Sequence, residues 1–307
     1  MTHGAFAGRL ACVGDLMSDV TALLSRPIAY GSDSPASITI QPGGSAANTA
    51  AWAASLGHRS LLVAAIGDDQ AGRDLTHAVT ALGIEPRLAL LPGRRTGACI
   101  VIVDSSGERT MLPDPGANAE LAYADLGLTP ADHLHVSGYA LFHEIARPHV
   151  LRMIDDAKAA GATVSLDPAS SAPAELHREL LLEAAARVDA VLANEAESRV
   201  LTGASDPQEA CARLGELCGC AVVKLGSSGV TAMWRPSWPA TGKGQAVTLP
   251  APAAHALDTT GAGDAFAAGF LPAWRSGLPL PAALQEGQRA AASAISRVGA
   301  GPPTPVA

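Results

Sequence analysis

Residues 258–274 (DTTGAGDAFAAGFLPAW) combine a glycine-rich turn with an apolar segment that can form a helix. Gly261, Ala262 and Gly263 have almost no side chain, so a ligand can approach their backbone. The start of a helix presents unpaired N–H groups and the positive end of the helix dipole, which together favour an anion. Asp264 follows in the first helical turn, where a carboxylate could act as a general base beside a bound phosphate. The alternative is that Asp264 only caps the helix.

Residues 41–57 (QPGGSAANTAAWAASLG) form a second glycine-containing turn before a predicted helix. Gly43 and Gly44 let a ligand come close to the backbone, and the Asn48 side chain offers both a hydrogen-bond donor and an acceptor. This pattern indicates a binding turn, but it also fits an ordinary connection between a loop and a helix.

Two further segments follow predicted strands. In residues 193–198 (ANEAES), Asn194 and Glu197 are three residues apart, which places an amide and a carboxylate on one side of a helix. In residues 222–230 (VVKLGSSGV), a strand runs into a glycine-serine turn that suits a nucleotide. Because open α/β sheets bind ligands outside the carboxyl ends of their strands, both segments are candidate binding sites.

Strand-like apolar runs alternate with helical stretches along the chain, which is typical of a parallel sheet with helices on both faces. Two segments, about 20–42 and 94–113, break the alternation because they contain short β-type runs and turn residues but no helix. Ser105, Ser106 and Gly107 form a candidate hairpin turn in the second segment. Together the two segments predict a small additional sheet, which is either a lid over an active site or an extension without function.

The chain has 307 residues, with 21 Lys+Arg against 29 Asp+Glu and a formal net charge of −8. An α/β chain of this length is often one domain, here 1–307. The acidic balance argues against nucleic acid or a membrane surface as a partner. No apolar run is long enough to span a membrane, and the N-terminus lacks the basic start of a signal peptide. The odd count of five cysteines predicts buried, reduced thiols in a cytoplasmic protein.

Several well-known catalytic motifs do not occur. None of the three lysines has the upstream glycines of a P-loop. The histidines of residues 143–149 (HEIARPH) have the wrong spacing for the HExxH zinc motif. Residues 261–266 (GAGDAF) lack the third glycine of the dinucleotide fingerprint, and no GxSxG elbow is present. The sequence therefore gives no support to the enzyme classes that these motifs define.

The segments GGSAAN, NEAE, KLGSSG and DTTGAGD, in this order and spacing, resemble those of the ribokinase-like (PfkB) family of carbohydrate and nucleoside kinases. The resemblance covers nearly the whole chain, from VGDLMSD at residue 13 to RVGAGPP near the end. It implies an α/β fold, a Rossmann-like three-layer α/β/α sandwich with a small β-sheet lid. The implied activity is transfer of the γ-phosphoryl group of ATP to a hydroxyl of a small sugar or sugar derivative, with Mg²⁺ and K⁺ as cofactors.

The resemblance also implies roles for individual residues. Asp264 would deprotonate the acceptor hydroxyl, and Gly261, Ala262 and Gly263 would form the anion hole for the transferring phosphoryl group. The implied ATP-binding residues are Asn194, Lys224, Gly226, Ser227, Gly229 and Gln288. The implied acceptor-binding residues are Asp19, Gly43, Gly44, Asn48 and Tyr139. Glu197 would organise Mg²⁺, partly through water, and Asp258 and Thr260 would form a monovalent-cation site.

The acceptor is less well defined by the resemblance. Ribokinase itself has GGKGAN where this chain has GGSAAN, an asparagine at the position of Met17 and a carboxylate near Tyr139. These changes alter three polar contacts to a pentose, which argues against D-ribose. Tyr139 and Phe142 could stack on a base, which supports a nucleoside as the alternative acceptor, or they could pack under the lid.

Two further hypotheses concern activity and assembly. A silent sugar- or nucleotide-binding protein would keep the same fold, but Asp264 and its neighbouring glycines are intact, which favours an enzyme. Similar proteins often form dimers through the lid, so a homodimer of this kind is considered as well.

Overall fold

The computed structural model describes residues 6–104, 109–235 and 244–303. The strands in these ranges are β1 (Arg9–Val13), β2 (Met17–Leu24), β3 (Ala36–Gly43), β4 (Arg59–Gly67), β5 (Glu85–Leu91), β6 (Gly97–Val103), β7 (Arg109–Asp114), β8 (His133–Ser137), β9 (Thr163–Asp167), β10 (Ala190–Asn194), β11 (Cys220–Lys224), β12 (Val230–Trp234) and β13 (Gln245–Leu249). The α-helices are α1 (Ser45–Ser55), α2 (Gln70–Ala81), α3 (Ala146–Ala159), α4 (Ser171–Leu176), α5 (Arg178–Ala185), α6 (Glu195–Thr202), α7 (Pro207–Cys218), α8 (Ala262–Arg275) and α9 (Leu280–Ile295).

Nine of these strands form the larger sheet, in the order β13-β12-β11-β10-β9-β8-β1-β4-β5. The strands from β11 to β5 in that order run parallel, whereas β12 and β13 pair antiparallel at one edge. The alternation of strands and helices in the sequence therefore predicted the central sheet correctly.

Each face of the larger sheet has its own apolar core. In β1, Leu10 and Cys12 belong to one core, together with α1, α2, α8 and α9. Ala11 and Val13 belong to the other core, together with α3, α5, α6 and α7. Since a parallel strand of this kind is buried on both faces, its sequence is a continuous apolar run. The predicted three-layer α/β/α sandwich is confirmed.

A smaller sheet in the described part of the chain has the strand order β3-β2-β6-β7. The predicted small sheet is therefore confirmed. Its strands span 17–43 and 97–114 rather than 20–42 and 94–113, because Ser18 and Asp19 already pair with β3 and β6 despite their polarity. The candidate turn at Ser105–Gly107 lies outside the described residues.

The strand register gives the smaller sheet two unlike faces. On one face, Asp19 and Cys99 are cross-strand neighbours, and both border a cavity. On the other, apolar side chains form rows across the four strands. We call this second face the outer face, and it comprises Val20, Ile38, Ile40, Ile100, Ile102 and Leu112. Ile40, at 70% exposure, is its most accessible isoleucine.

The cysteines agree with the expectation of buried, unpaired thiols. All five cysteines lie in the described part of the chain, where they are buried and unpaired. No helix among the described residues has the length and apolar character needed to cross a bilayer.

Candidate active site

A cavity of about 1020 Å³ lies at the carboxyl ends of the central strands, beneath the smaller sheet. Asp167, Asn194 and Lys224 are the last residues of β9, β10 and β11, and all three line it. Adjacent parallel strands thus bring together residues that are far apart in the sequence. The volume is at the upper end of the range for small-molecule sites, which leaves room for two ligands.

Most of the predicted site residues meet at this cavity. The lining includes Asp19, Gly44, Asn48, Tyr139, Asn194, Glu197, Lys224, Gly226, Thr260, Gly261, Ala262, Gly263 and Asp264. The predicted residues outside the lining are Gly43, Ser227, Gly229, Asp258 and Gln288. Segments that are distant in the sequence therefore converge on one cavity, and five of the predicted residues do not line it.

Asp264 lies in the first turn of α8, as its position after the glycines predicted. The N-cap of this helix is Gly261, and no side chain caps it, so Asp264 is not the helix cap. The Ser45 hydroxyl donates to Asp264 Oδ1 at 2.8 Å, and Asn48 Nδ2 donates to Oδ2 at 3.2 Å. Two side chains from the start of α1 therefore fix the orientation of the carboxylate.

The surroundings of Asp264 favour its protonated form. Burial, and then the negative charge of Asp167, raise its pKa to about 8, against the opposing hydrogen bond from Ser45 and the charge of Lys224. A general base is most effective when its pKa lies near the working pH. The Asp264 carboxyl therefore has the acidity that proton transfer near neutral pH requires.

Asp15 positions the start of α1, and sequence reasoning missed it. Its carboxylate accepts hydrogen bonds from the backbone N–H groups of Ser45 at 3.1 Å and Ala46 at 3.4 Å. Gly44 has a φ of 101°, and a Cβ there would lie 2.5 Å from the Asp15 carbonyl oxygen. The signal for Asp15 was its place two residues after the first strand, and the signal for Ser45 was a hydroxyl next to two glycines.

Asn194 and Glu197 meet as predicted, but they form the capping box of α6. Asn194 Oδ1 accepts a hydrogen bond from the Glu197 N–H at 2.9 Å, and Glu197 Oε2 accepts one from the Asn194 N–H at 2.8 Å. Burial, and then the charge of Asp167, raise the pKa of Glu197 to about 7. Glu197 thus has a structural role at the cavity wall in addition to any contact with a ligand.

Asp167 was also missed, although it ends a strand that the sequence pattern predicted. Lys224 Nζ donates to Asp167 Oδ2 at 2.8 Å, and the two side chains are only 15% and 9% exposed. Burial alone would lower the pKa of Lys224, but the charges of Asp167 and Glu197 raise it above its usual value. The lysine therefore remains a cation at the bottom of the cavity.

We call residues 258–263, which lead into α8, the anion loop. Asp258 Oδ1 accepts a hydrogen bond from the Thr260 N–H at 2.8 Å, and Oδ2 accepts one from the Gly299 N–H at 2.9 Å. Gly261 has a φ of 72°, and a Cβ there would lie 2.5 Å from the Ala300 carbonyl oxygen. That carbonyl also accepts a 2.8 Å hydrogen bond from the indole of Trp52. Contacts with Gly299 and Ala300 thus determine the conformation of the loop.

Arg109 changes the interpretation of the predicted monovalent-cation site. From the start of β7, its guanidinium pairs with the Asp258 carboxylate and donates to the hydroxyls of Thr259 and Thr260. Both oxygens of Asp258 already accept hydrogen bonds, and the neighbouring positive charge belongs to the chain itself. In this arrangement, Asp258 and Thr260 do not fit K⁺.

The remaining charges fit Mg²⁺ that arrives with a nucleotide. Five carboxylates line the cavity, namely Asp15, Asp19, Asp167, Glu197 and Asp264, and the lysine and arginine in the lining are both ion-paired. Across the described ranges, no three His, Cys, Asp or Glu side chains form a group that could hold a metal ion. Mg²⁺ usually binds through one or two carboxylates, water and substrate phosphates, which is compatible with this donor set.

The remaining predicted nucleotide residues differ in their positions. Gly226 begins a short 3-10 turn, Gly226–Ser228, and borders the cavity, whereas Ser227 and Gly229 do not. The Gln288 amide donates to the Pro250 carbonyl at 2.8 Å, and its side chain does not reach the cavity lining. The Gln288 side chain therefore contacts the segment at Pro250.

A three-layer sandwich whose strand ends face a glycine-rich helix start, below a small second sheet, is the arrangement expected of the ribokinase-like fold. The chain belongs to the pfkB family of carbohydrate kinases, whose family model matches residues 7–307. It is 35% identical over 241 residues to a fructokinase from Klebsiella pneumoniae, an alignment covering 75% of this chain and 76% of that protein. The predicted family and enzyme class are confirmed, and the chain is an ATP-dependent carbohydrate kinase.

Solved structures show the same fold over almost the full chain. The adenosine kinase from Sinorhizobium meliloti has a TM-score of 0.85 and 27% identity, covering 96% of this chain and 95% of that one. The fructokinase from Vibrio cholerae O395 in its fructose, ADP and calcium ion bound form has a TM-score of 0.77 and 26% identity, covering 96% and 95%. These neighbours include both a sugar kinase and a nucleoside kinase.

Proposed function

We propose that this kinase transfers the γ-phosphoryl group of ATP to a hydroxyl of a small neutral sugar or sugar derivative. The observation that carries the proposal is the position of Asp264. Its carboxylate is held by Ser45 and Asn48, borders the cavity and directly follows the anion loop. In this position it accepts the proton of the acceptor hydroxyl while the N–H groups of Gly261–Gly263 bind the transferring group.

Lys224 supports this assignment from the other side of the loop. A Cβ at Gly263 would lie 3.1 Å from Lys224 Nζ, so the ammonium group adjoins the anion loop. Phosphoryl transfer depends mainly on in-line positioning and stabilisation of charge, which N–H groups and a fixed ammonium provide. Mg²⁺, when bound with the nucleotide, neutralises phosphate charge. Asn194, Glu197 and Gly226 border the nucleotide end in this assignment, and Gln288 has no part in it.

The acceptor end is lined by carboxyl groups, which favours a neutral acceptor. Asp19 borders the cavity from the smaller sheet, and burial, followed by the charge of Asp15, raises its pKa to about 7. A sugar acid or sugar phosphate would add a negative charge where burial already disfavours one, whereas a neutral sugar offers hydroxyls that can hydrogen-bond to the carboxyl groups.

The aromatic residues favour a sugar over a nucleoside. The Phe142 ring stacks on His177 with centroids 4.9 Å apart, and Tyr139 contacts Phe142 edge to face at 6.0 Å. These rings pack against one another, which supports the interpretation that they shape the pocket instead of stacking on a base. A nucleoside remains the alternative acceptor that the experiment below tests.

Release of ADP, measured over neutral sugars, polyols, sugar acids, sugar phosphates and nucleosides, tests the proposed acceptor. We expect neutral sugars to support turnover and anionic acceptors to support none. In Asp19→Asn, loss of a hydrogen bond to a charged group should raise KM for the acceptor about 10- to 100-fold, while KM for ATP stays unchanged. A preference for nucleosides or anions would contradict the sugar assignment.

We also propose that two copies of the chain associate through the outer face of the smaller sheet. A row of apolar side chains crosses all four strands of this sheet, namely Ile40, Val20, Ile100 and Leu112. Ile38 lies on the same face and is 55% exposed. Contiguous exposed apolar surface of this kind usually marks an interface, and a symmetric dimer pairs such a surface with itself.

Light scattering after gel filtration tests this dimer. We expect a mass of about twice the 31.0 kDa chain, reduced to a single chain in Ile40→Glu. Leu176→Glu is the matched control, because Leu176 is 83% exposed but lies on α4, away from the smaller sheet. A monomeric wild-type protein, or a dimer that survives Ile40→Glu, would refute the proposed interface.

A further inference from the structure

Arg109 connects the smaller sheet to the anion loop. It is the first residue of β7, and its side chain is 24% exposed, while that of its partner Asp258 is 14% exposed. It lines the active-site cavity and also a second cavity between the smaller sheet and residues 256–259. Its side chain therefore forms part of the wall between the two cavities, directly behind the loop that enters α8.

Asp258 is the acceptor on which the anion loop depends. Its two oxygens hold the N–H groups of Thr260 and Gly299, so its orientation determines the backbone immediately before Gly261. Burial would raise its pKa, but hydrogen bonds from Thr260 and Gly299 and the charge of Arg109 lower it below the usual value. The carboxylate is thus ionised and requires a positive neighbour in a partly buried position.

We propose that Arg109 is a positioning residue that supplies this fixed positive charge in place of a monovalent cation. The guanidinium binds the side chains of three consecutive loop residues, Asp258, Thr259 and Thr260. The planar guanidinium has five N–H donors, so it can bind several oxygen acceptors at once. Without it, a monovalent cation would have to hold these oxygens together.

Because Arg109 belongs to β7, it connects the anion loop to the smaller sheet. The guanidinium contacts the anion loop only while β7 lies beside that loop. The conformation of the anion loop therefore depends on the position of the smaller sheet. This inference rests on the proposed function of the loop as the phosphoryl site. Arg109 acts from behind that loop, and the chemistry at Asp264 is tested separately.

Kinase rates measured at fixed ionic strength in KCl, NaCl and tetramethylammonium chloride provide the first test. We expect equal wild-type rates in all three salts. In Arg109→Met, kcat should fall about 10²-fold in tetramethylammonium through misplacement of the loop, and KCl should restore part of it. Arg109→Lys, which keeps the charge without the planar fork, should retain more activity than Arg109→Met in tetramethylammonium.

Thermal unfolding supplies a readout that does not depend on turnover. We expect the wild-type Tm to be the same in KCl and tetramethylammonium chloride, and the Tm of Arg109→Met to rise specifically in KCl as the ion enters the vacated place. Arg95→Met is the matched control, since Arg95 also pairs with a residue of β7, Asp114, but is 86% exposed. This variant should behave as wild type.

The outcomes separate this proposal from the proposed function. A wild-type enzyme that needs K⁺, or an Arg109→Met variant with the wild-type rate and salt response, would overturn the role of Arg109 while leaving the kinase assignment intact. If no acceptor is phosphorylated, the proposed function fails. A Tm that depends on K⁺ only in Arg109→Met would still support the role of Arg109. If Arg109→Met does not fold, Arg109→Lys and the wild-type salt series decide the question.

Discussion

Replacing Asp264 by asparagine is expected to lower kcat by between about 10²- and 10⁴-fold, the usual contribution of a positioned general base. The change removes the basic oxygen pair but preserves the shape of the side chain. The Ser45 hydroxyl can still donate to the remaining oxygen, and the Asn48 amide can turn to accept from the new amide group. The start of α8 should therefore keep its structure.

Two measurements on Asp264→Asn distinguish loss of the base from loss of the site. Titration with ATP and Mg²⁺ should give an affinity close to that of the wild-type protein, because the carboxylate is not needed to hold phosphates. The thermal stability should also remain close to wild type. Asp68→Asn is the control, because Asp68 is 58% exposed and forms a surface ion pair. Turnover near the wild-type rate in Asp264→Asn would show that another group takes the proton.

The pH dependence of kcat/KM follows from the same residue. Since the pKa of Asp264 is raised to about 8, the carboxyl is increasingly protonated as the pH falls below that value. A protonated carboxyl cannot accept the hydroxyl proton, so the rate should decrease on the acid side. In Asp167→Asn, the charge that helps raise this pKa is gone, and the acid limb should move to lower pH. An acid limb that stays in place would argue against Asp264 as the titrating group.

Replacing Gly261 by alanine is expected to reduce kcat about 10²-fold, comparable to the loss of one oxyanion donor. Gly261 has a φ of 72°, and a Cβ there would lie 2.5 Å from the Ala300 carbonyl oxygen. The loop must therefore move away from residue 300, and its N–H groups leave the positions from which they are proposed to bind the transferring phosphoryl group. KM for ATP should change much less than kcat.

Gly277→Ala is the matched control for Gly261→Ala. Gly277 follows the other end of α8, has a φ of 82° and would have no atom within 4 Å of a new Cβ. Both variants carry the cost of a left-handed alanine, roughly 1–2 kcal/mol of stability, but only Gly261→Ala disturbs the anion loop. Equal losses of kcat in the two variants would attribute the effect to stability instead of loop geometry.

The sequence predicted those parts of the molecule that local chemistry determines. The alternating apolar runs defined the larger sheet, and the small residues at 43–44 and 261–263 defined the turns that enter α1 and α8. A ligand can approach the start of a helix closely when the residues there are small. The sequence signal of such a site therefore lies in adjacent positions. For this reason the position of Asp264 could be predicted without a structure.

The missed residues are those whose importance depends on distant partners. Asp15 lies just after a strand, Asp167 ends one and Arg109 begins one, and none of them has distinctive neighbours in the sequence. Their roles follow from contacts with Ser45, Lys224 and Asp258, which are 30, 57 and 149 positions away along the chain. Only the order of strands in the two sheets brings these pairs together. The contact of Gln288 with Pro250 could not be inferred for the same reason, since nothing in its own helix indicates that partner.

The hydrogen bond from Trp52 to Ala300 has an optical consequence. Trp52 is 3% exposed, and its indole N–H is bonded to the carbonyl that also borders Gly261. A movement of the loop at Gly261 displaces this carbonyl and so changes the polarity around the indole. Since the emission of tryptophan responds to such changes, Trp52 is an intrinsic fluorophore behind the proposed phosphoryl site.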